Sequence, residues 1–349
     1  MTTTTPRRPR TSSALSRRGF LGAAGGTLGT VGLVTACSAA DESTAGPAGP
    51  DSGQWTFTDD RGETATLDAT PERVVAYVGS AAALHDYGIR CTGIFGPAVT
   101  GEGEPSVLAA DLDLDRLTNL GNAWGEFDIE AYLALDPQLL VSDVHTPPSL
   151  WWIPEDTASD ILGIAPSVGI ANVGPPLRTT VERYAELAEA LGADLASPHV
   201  VAARERYDAA AEAVRQAARD NPGLRVLALS ATADKVWFCV PADLSDLTYY
   251  QELGVGLVVP ENPDEAGTFE SVSWENAGRY PADLILLDDR AISLQPDQLA
   301  ADKPTWRSLP AVRAGQVAAW NPEPTYSYAG CAPAMESLAE AIRSAERLG

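Results

Sequence analysis

Ser197-Pro198-His199-Val200-Val201-Ala202-Ala203-Arg204-Glu205-Arg206-Tyr207-Asp208-Ala209-Ala210-Ala211-Glu212-Ala213-Val214-Arg215-Gln216-Ala217-Ala218-Arg219-Asp220, closed by Asn221-Pro222-Gly223, is the stretch around which the rest of the chain is organised. Ser is a good N-cap, Pro fits the first helical position, and Asn-Pro-Gly cannot continue a helix. At 1.5 Å per residue this makes a rod of about 33 Å, long enough to bridge two lobes. Just upstream, Val181, Tyr184, Leu187, Ala188 and Leu191 recur at helical spacing over 179–191 and stop at Gly192, a left-handed cap.

Short apolar runs lie on both sides of the rod. Val74-Val75-Ala76-Tyr77-Val78 and Leu139-Leu140-Val141 precede it, and Arg225-Val226-Leu227-Ala228-Leu229 and Leu284-Ile285-Leu286-Leu287 follow it. They read as buried parallel strands, with Ala- and Glu-rich helical segments between them, which is an α/β pattern. The two sides echo one another. Phe127-Asp128-Ile129-Glu130-Ala131-Tyr132-Leu133-Ala134-Leu135-Asp136-Pro137 precedes the strand at Leu139, and Val272-Ser273-Trp274-Glu275-Asn276-Ala277-Gly278-Arg279-Tyr280-Pro281 precedes the strand at Leu284. Each copy puts one Glu, Glu130 or Glu275, at the start of a short helix, where the helix dipole stabilises an exposed carboxylate. Two such corners held apart by a stiff helix make a two-pronged acidic docking surface.

Composition narrows the function. The chain has 349 residues, 24 Lys+Arg against 48 Asp+Glu, a formal charge of −24, and 45% hydrophobic residues. It is long enough for two domains of roughly 100–200 residues. An excess of acid opposes nucleic-acid binding, which depends on Lys and Arg displacing counterions. No run reaches the roughly 20 apolar residues that span a bilayer.

The first residues read as an address. Arg7, Arg8, Arg10, Arg17 and Arg18 precede the uncharged stretch 20–34, as in a secretory signal. Ser16-Arg17-Arg18-Gly19-Phe20-Leu21 resembles a twin-arginine export signal, and Val34-Thr35-Ala36-Cys37 resembles a lipobox ending at the lipid-acceptor cysteine. The expected order is a signal peptide over 1–36, a flexible tether over 37–54, an N-terminal lobe over 55–194, the backbone helix over 195–220 and a C-terminal lobe over 221–349. Three cysteines remain, and an oxidising exterior would allow a bridge between Cys239 and Cys331, although spacing does not fix the pairing.

From Trp55 to Gly349 the chain resembles the substrate-binding lipoproteins of ABC importers for ferric siderophores, haem and vitamin B12. The likeness rests on Pro71-Glu72-Arg73-Val74-Val75, the Glu130 segment, Tyr249-Tyr250-Gln251-Glu252-Leu253-Gly254, Val272-Ser273-Trp274-Glu275, and the run from Trp306-Arg307-Ser308-Leu309-Pro310 through Val317, in that order. The resemblance implies two lobes, each with a mostly parallel sheet flanked by helices, joined by one backbone helix. It also implies a monomer, with Glu130 and Glu275 meeting arginines of an ABC permease.

The ligand would sit between the lobes. Trp124, His145, Trp151 and Trp152 are candidates in the first half, because loops beyond the carboxyl ends of parallel strands bind ligands in open α/β sheets. In the second half Trp237, Tyr249, Tyr326 and Tyr328 lie in segments matching the family's cleft, although aromatic residues also serve simply as core. Arg290 is expected to pair with its neighbouring Asp residues. The segments facing the cleft are aromatic and neutral or acidic, which favours a ferric hydroxamate over a polyanionic chelate. No cofactor and no metal ligated directly are expected. The rivals are a Zn²⁺- or Mn²⁺-binding protein, for which only His85, His145 and His199 are available, and a lipid-anchored hydrolase, for which no Gly-x-Ser-x-Gly or His-Glu-x-x-His motif is present.

Overall fold

The computed structural model describes residues 53–265, 267–290 and 292–349. The signal segment 1–36, the acceptor Cys37 and nearly all of the tether lie outside the described residues.

The strands are β1 (Trp55–Thr58), β2 (Thr64–Leu67), β3 (Val74–Tyr77), β4 (Gly93–Phe95), β5 (Thr118–Asn119), β6 (Leu139–Val144), β7 (Ser167–Ala171), β8 (Val226–Ala231), β9 (Lys235–Cys239), β10 (Phe269–Ser273), β11 (Leu284–Asp288) and β12 (Val317–Trp320). They form a hairpin, β1-β2, and two five-stranded sheets ordered β5-β4-β3-β6-β7 and β10-β9-β8-β11-β12. In the first sheet every pairing is parallel. The second is mixed: β8, β11 and β12 are parallel, whereas β9 and β10 add as antiparallel edge strands. The reason is local. The link Thr232-Ala233-Asp234 is too short for a crossover helix, so β9 must fold straight back on β8.

The four apolar runs form β3, β6, β8 and β11 at the sheet centres, buried on both faces as parallel strands require. The helix upstream of the rod covers Leu177–Ala190, and Gly192 takes φ +98° just beyond it, a conformation that costs glycine little. Between the sheets in sequence runs the helix Pro198–Asp220, 23 residues with Pro in its first turn and about 35 Å long. Tyr207, Ala210, Ala211, Val214 and Ala217 form its buried stripe. The last helix, Tyr328–Ser344, packs along it. Arg206 of one holds Glu336 of the other through two bonds of 2.8 and 2.7 Å. The fold is therefore an α/β two-lobe architecture joined by a long helix.

The repeated segments fold alike up to a point. The first is the helix Ile129–Ala134, capped by the Asp128 side chain accepting from Ala131 N at 2.9 Å. In the second, the equivalent of that helix is a single 3-10 turn, Trp274–Asn276.

A candidate ligand-binding cavity between the two sheets

Loops leaving the carboxyl ends of β6, β7, β8, β11 and β12 line a single cavity of about 680 Å³, and β9 and β10 contribute Trp237 and Phe269. Its volume falls in the range of small-molecule sites, and its position outside the strand ends is where open α/β sheets bind ligands.

One wall comes from the loop after β6. Trp151 is fixed through its backbone: its N–H donates to Asp143 O at 2.8 Å, and its carbonyl accepts from Ser142 Oγ at 2.7 Å. The His145 ring stacks on the Trp151 ring at 3.9 Å between centroids and 22° between planes. Trp152 has φ +66°, a left-handed conformation rare for a bulky residue and a form of strain that collects at binding sites. In that position its ring meets Tyr77 at 6.2 Å. Trp124, 64% exposed, closes the cluster from outside at 5.1 Å from Trp151 and 5.0 Å from Trp152. The buried indole N–H groups of Trp151 and Trp152 have no hydrogen-bond partner, leaving two donors unmet.

Beneath this wall lies a polar network. Asp143 is buried and accepts from the Tyr184 hydroxyl and from Asn172 Nδ2 at 3.2 Å. Burial pushes its carboxyl up to about 7. Asn172 Nδ2 also lies 3.0 Å from His145 Nε2 and 3.2 Å from the Tyr326 hydroxyl. With the amide donating, Nε2 accepts and Nδ1 carries the imidazole proton. Burial lowers the His145 pKa to about 4, so the ring is neutral near pH 7.

The opposite wall holds Trp237, packed edge-on against Phe269 at 6.1 Å, with the Lys235 ammonium 5.4 Å from the indole centroid. Arg290 also lines the cavity. It forks onto Asp288 (Nε to Oδ1 3.0 Å, a terminal nitrogen to Oδ2 2.8 Å) and also donates to Glu323. Burial opposes the charge of the Arg290 guanidinium, but the bonds to Asp288 and the field of Glu323 outweigh it and raise the pKa. The expected pairing of Arg290 with a neighbouring Asp is thus present, and Glu323 is a second partner outside that sequence neighbourhood.

The structure brings His145, Trp151, Trp152, Trp237 and Tyr326 to the cavity lining, with Trp124 packed on its rim. It does not bring Tyr249 or Tyr328. Tyr249 stacks on Tyr207 of the long helix and accepts from Arg178 Nε at 3.2 Å, while Tyr328 packs edge-on between Tyr207 and Tyr87. Both are core residues around the long helix, since an aromatic run reads the same whether it faces a cleft or a hinge. The bridge considered between Cys239 and Cys331 is likewise corrected. Both thiols are free and buried, and Cys331 Sγ donates instead to Thr325 O at 3.1 Å.

Glu130 and Glu275 are both exposed. The Glu275 carboxylate is held below its usual range by the Ser273 hydroxyl and its own backbone N–H. His85 lines a separate cavity and His199 lies on the long helix, so the three histidines do not converge. Sequence reasoning missed Asn172, Ser230, Thr232, Asp243, Thr268 and Glu323. Asn172 and Thr232 directly follow β7 and β8, so the post-strand rule applied to every strand would have reached them.

Two lobes on a long helix, with an aromatic cavity at the strand ends, are built to hold a solute between them. The family model described as periplasmic binding protein matches residues 102–324, and the chain belongs to that family. A ferric-siderophore receptor protein, DesE of Streptomyces coelicolor, is 44% identical over 84% of this chain and 100% of its own, with a TM-score of 0.82. The catecholate-siderophore binding protein VctP of Vibrio cholerae (18% identity, 83% of this chain and 99% of its own, TM-score 0.59) and the petrobactin-binding protein YclQ of Bacillus subtilis (17%, 83% and 97%, 0.59) share the fold. No curated protein matches the sequence.

Proposed function

We propose that the protein binds a ferric siderophore in the cavity between its sheets and delivers it to an ABC permease, doing no chemistry of its own. The observation that carries this reading is the facing pair of aromatic walls, Trp151 and Trp152 against Trp237 and Phe269, around about 680 Å³ in a chain 44% identical to a ferric-siderophore receptor protein. Aromatic faces suit a large, rigid, amphipathic guest because they contribute area at little entropic cost. The lining also selects by charge. Arg290 is neutralised by Asp288 and Glu323, Asp243 adds a carboxylate, and His145 is neutral. A neutral or cationic chelate, the ferric trihydroxamate class, fits that field better than a polyanionic one.

Glu130 and Glu275 serve as the two acidic contacts for permease arginines. Cys37 carries the lipid that anchors the protein, as a monomer, to the outer face of the membrane, and the twin-arginine segment exports it. Family membership supports the extracytoplasmic location. Tryptophan fluorescence of the purified protein, titrated with ferric hydroxamates, ferric catecholates, haem, cobalamin, and Zn²⁺ and Mn²⁺ salts, tests the ligand. Saturable quenching by hydroxamates is expected. Quenching by a divalent salt alone would contradict it.

A further inference from the structure

We propose that Glu323 sets the charge selectivity of the cavity by holding Arg290 in a closed ion cluster, so that anionic chelates find no free cation on the wall. This deepens the siderophore reading and rests on it. Among the described lining residues Arg290, in the loop after β11, is the lone Arg or Lys. Left free, it would make this the natural seat for a catecholate or carboxylate group, since its planar fork matches such oxygens.

It is not free. Nε and both terminal nitrogens are engaged by Asp288 and Glu323. The two carboxylates are themselves held in place. Asp288 also accepts from Ser230 Oγ at 2.6 Å and from the Arg290 N–H at 3.0 Å. Glu323 accepts from the Tyr77 hydroxyl at 2.8 Å, and its own N–H donates to Asn321 Oδ1 at 2.9 Å. Side-chain exposures of 16% for Arg290 and 14% for Glu323 keep the cluster poorly screened, so one charge more or less there is felt strongly by a guest. Asp288 alone would balance Arg290. Glu323 makes the cluster net negative, so the wall repels an anion and attracts a cation.

The test is Glu323→Gln, which keeps the size of the side chain and one carbonyl oxygen to accept from Arg290, with its amide NH2 turned to the Tyr77 hydroxyl oxygen, but removes the charge. The readout is tryptophan quenching by a cationic ferric trihydroxamate and by a trianionic ferric triscatecholate. The ratio of affinities is expected to move toward the anion by about tenfold or more at low salt, and less at high salt. Tyr77→Phe removes the bond across the lobes but leaves the charge, and should leave the ratio unchanged. An unchanged ratio in Glu323→Gln, or an equal change in Tyr77→Phe, would overturn the assignment while leaving siderophore binding intact. If neither chelate quenches wild type or variant, the siderophore reading itself falls and takes the assignment with it.

Discussion

The Tyr77 hydroxyl donates to Glu323 Oε2 at 2.8 Å, joining the end of β3 in one lobe to the segment after β12 in the other. Residues of that segment touch the first lobe repeatedly: the Tyr326 hydroxyl accepts from Asn172 at 3.2 Å, Ser327 Oγ bonds Asp86, and Tyr328 meets Tyr87 edge-on at 6.0 Å. The long helix is therefore not the sole tie. A strap over 321–328 runs beside the cavity and limits how far the lobes can part.

Tyr77→Phe tests that strap. The phenol is buried and neutral, its pKa raised first by burial and then by Glu323. Removing its hydroxyl costs about 1–2 kcal/mol, because a hydrogen bond to a charged group is lost while Arg290 still satisfies the carboxylate. Calorimetry should show Tm falling by roughly 1–4 °C. An unchanged Tm would mean that the strap does not bear load.

Trp151→Ala and Trp152→Ala should each weaken chelate binding by roughly 10- to 100-fold, as loss of a buried aromatic anchor does. Tyr328→Phe keeps its ring and lies away from the cavity, so affinity should not change. Titration calorimetry separates the two groups. Equal losses would relocate the site to the long helix.

Replacing Glu130 and Glu275 together with Ala should abolish uptake of radioactive iron chelate by cells while leaving affinity in solution unchanged. Both are exposed, and neither lines the cavity. Each single variant should slow uptake in a salt-sensitive way, as expected for steering charges. Full uptake by the double variant would refute the docking role.

Asp143 gives a pH signature. Its folded pKa, about 7, is raised by burial well above the ordinary aspartate range, so the folded state holds its proton more tightly than the unfolded chain. The stability it contributes is fully present below the unfolded value and is lost as pH rises through about 7. Asp143→Asn should therefore remove roughly 2–4 kcal/mol of pH-dependent destabilisation between about pH 4 and pH 8. His145, lowered to about 4, works in the opposite sense: its contribution is present above its unfolded value near 6.5 and fades as pH falls through 4. Denaturant melts of the variant across that range, compared with wild type, check the slope; parallel curves would show that Asp143 does not titrate there.

The architecture was legible where local chemistry and global fold agree. Pro198 and Asn221-Pro222-Gly223 bracket the long helix because a proline preset for the first turn and helix-breaking act within a few residues, whereas the Ser197 hydroxyl does not cap it and donates to Asp194 O at 2.6 Å instead. β3, β6, β8 and β11 announce themselves because strands buried on both faces must be continuously apolar. The antiparallel edge was hidden, since Trp237 and Phe238 suit a core, a cleft or a strand equally well. In the site, position after a strand located His145, Trp151 and Trp152, whereas the likeness of segments to the family's cleft misplaced Tyr249 and Tyr328. Glu323 carried no local signal. Its role comes from Tyr77 and Arg290, which are distant in sequence and meet it only in the folded chain.

The claim that the cavity holds the chelate is tested most directly by iron anomalous scattering from crystals of the protein grown with a ferric trihydroxamate. A single iron peak between the Trp151–Trp152 wall and the Trp237–Arg290 wall is predicted. A peak elsewhere on the molecule, or none at saturating chelate, would contradict the account.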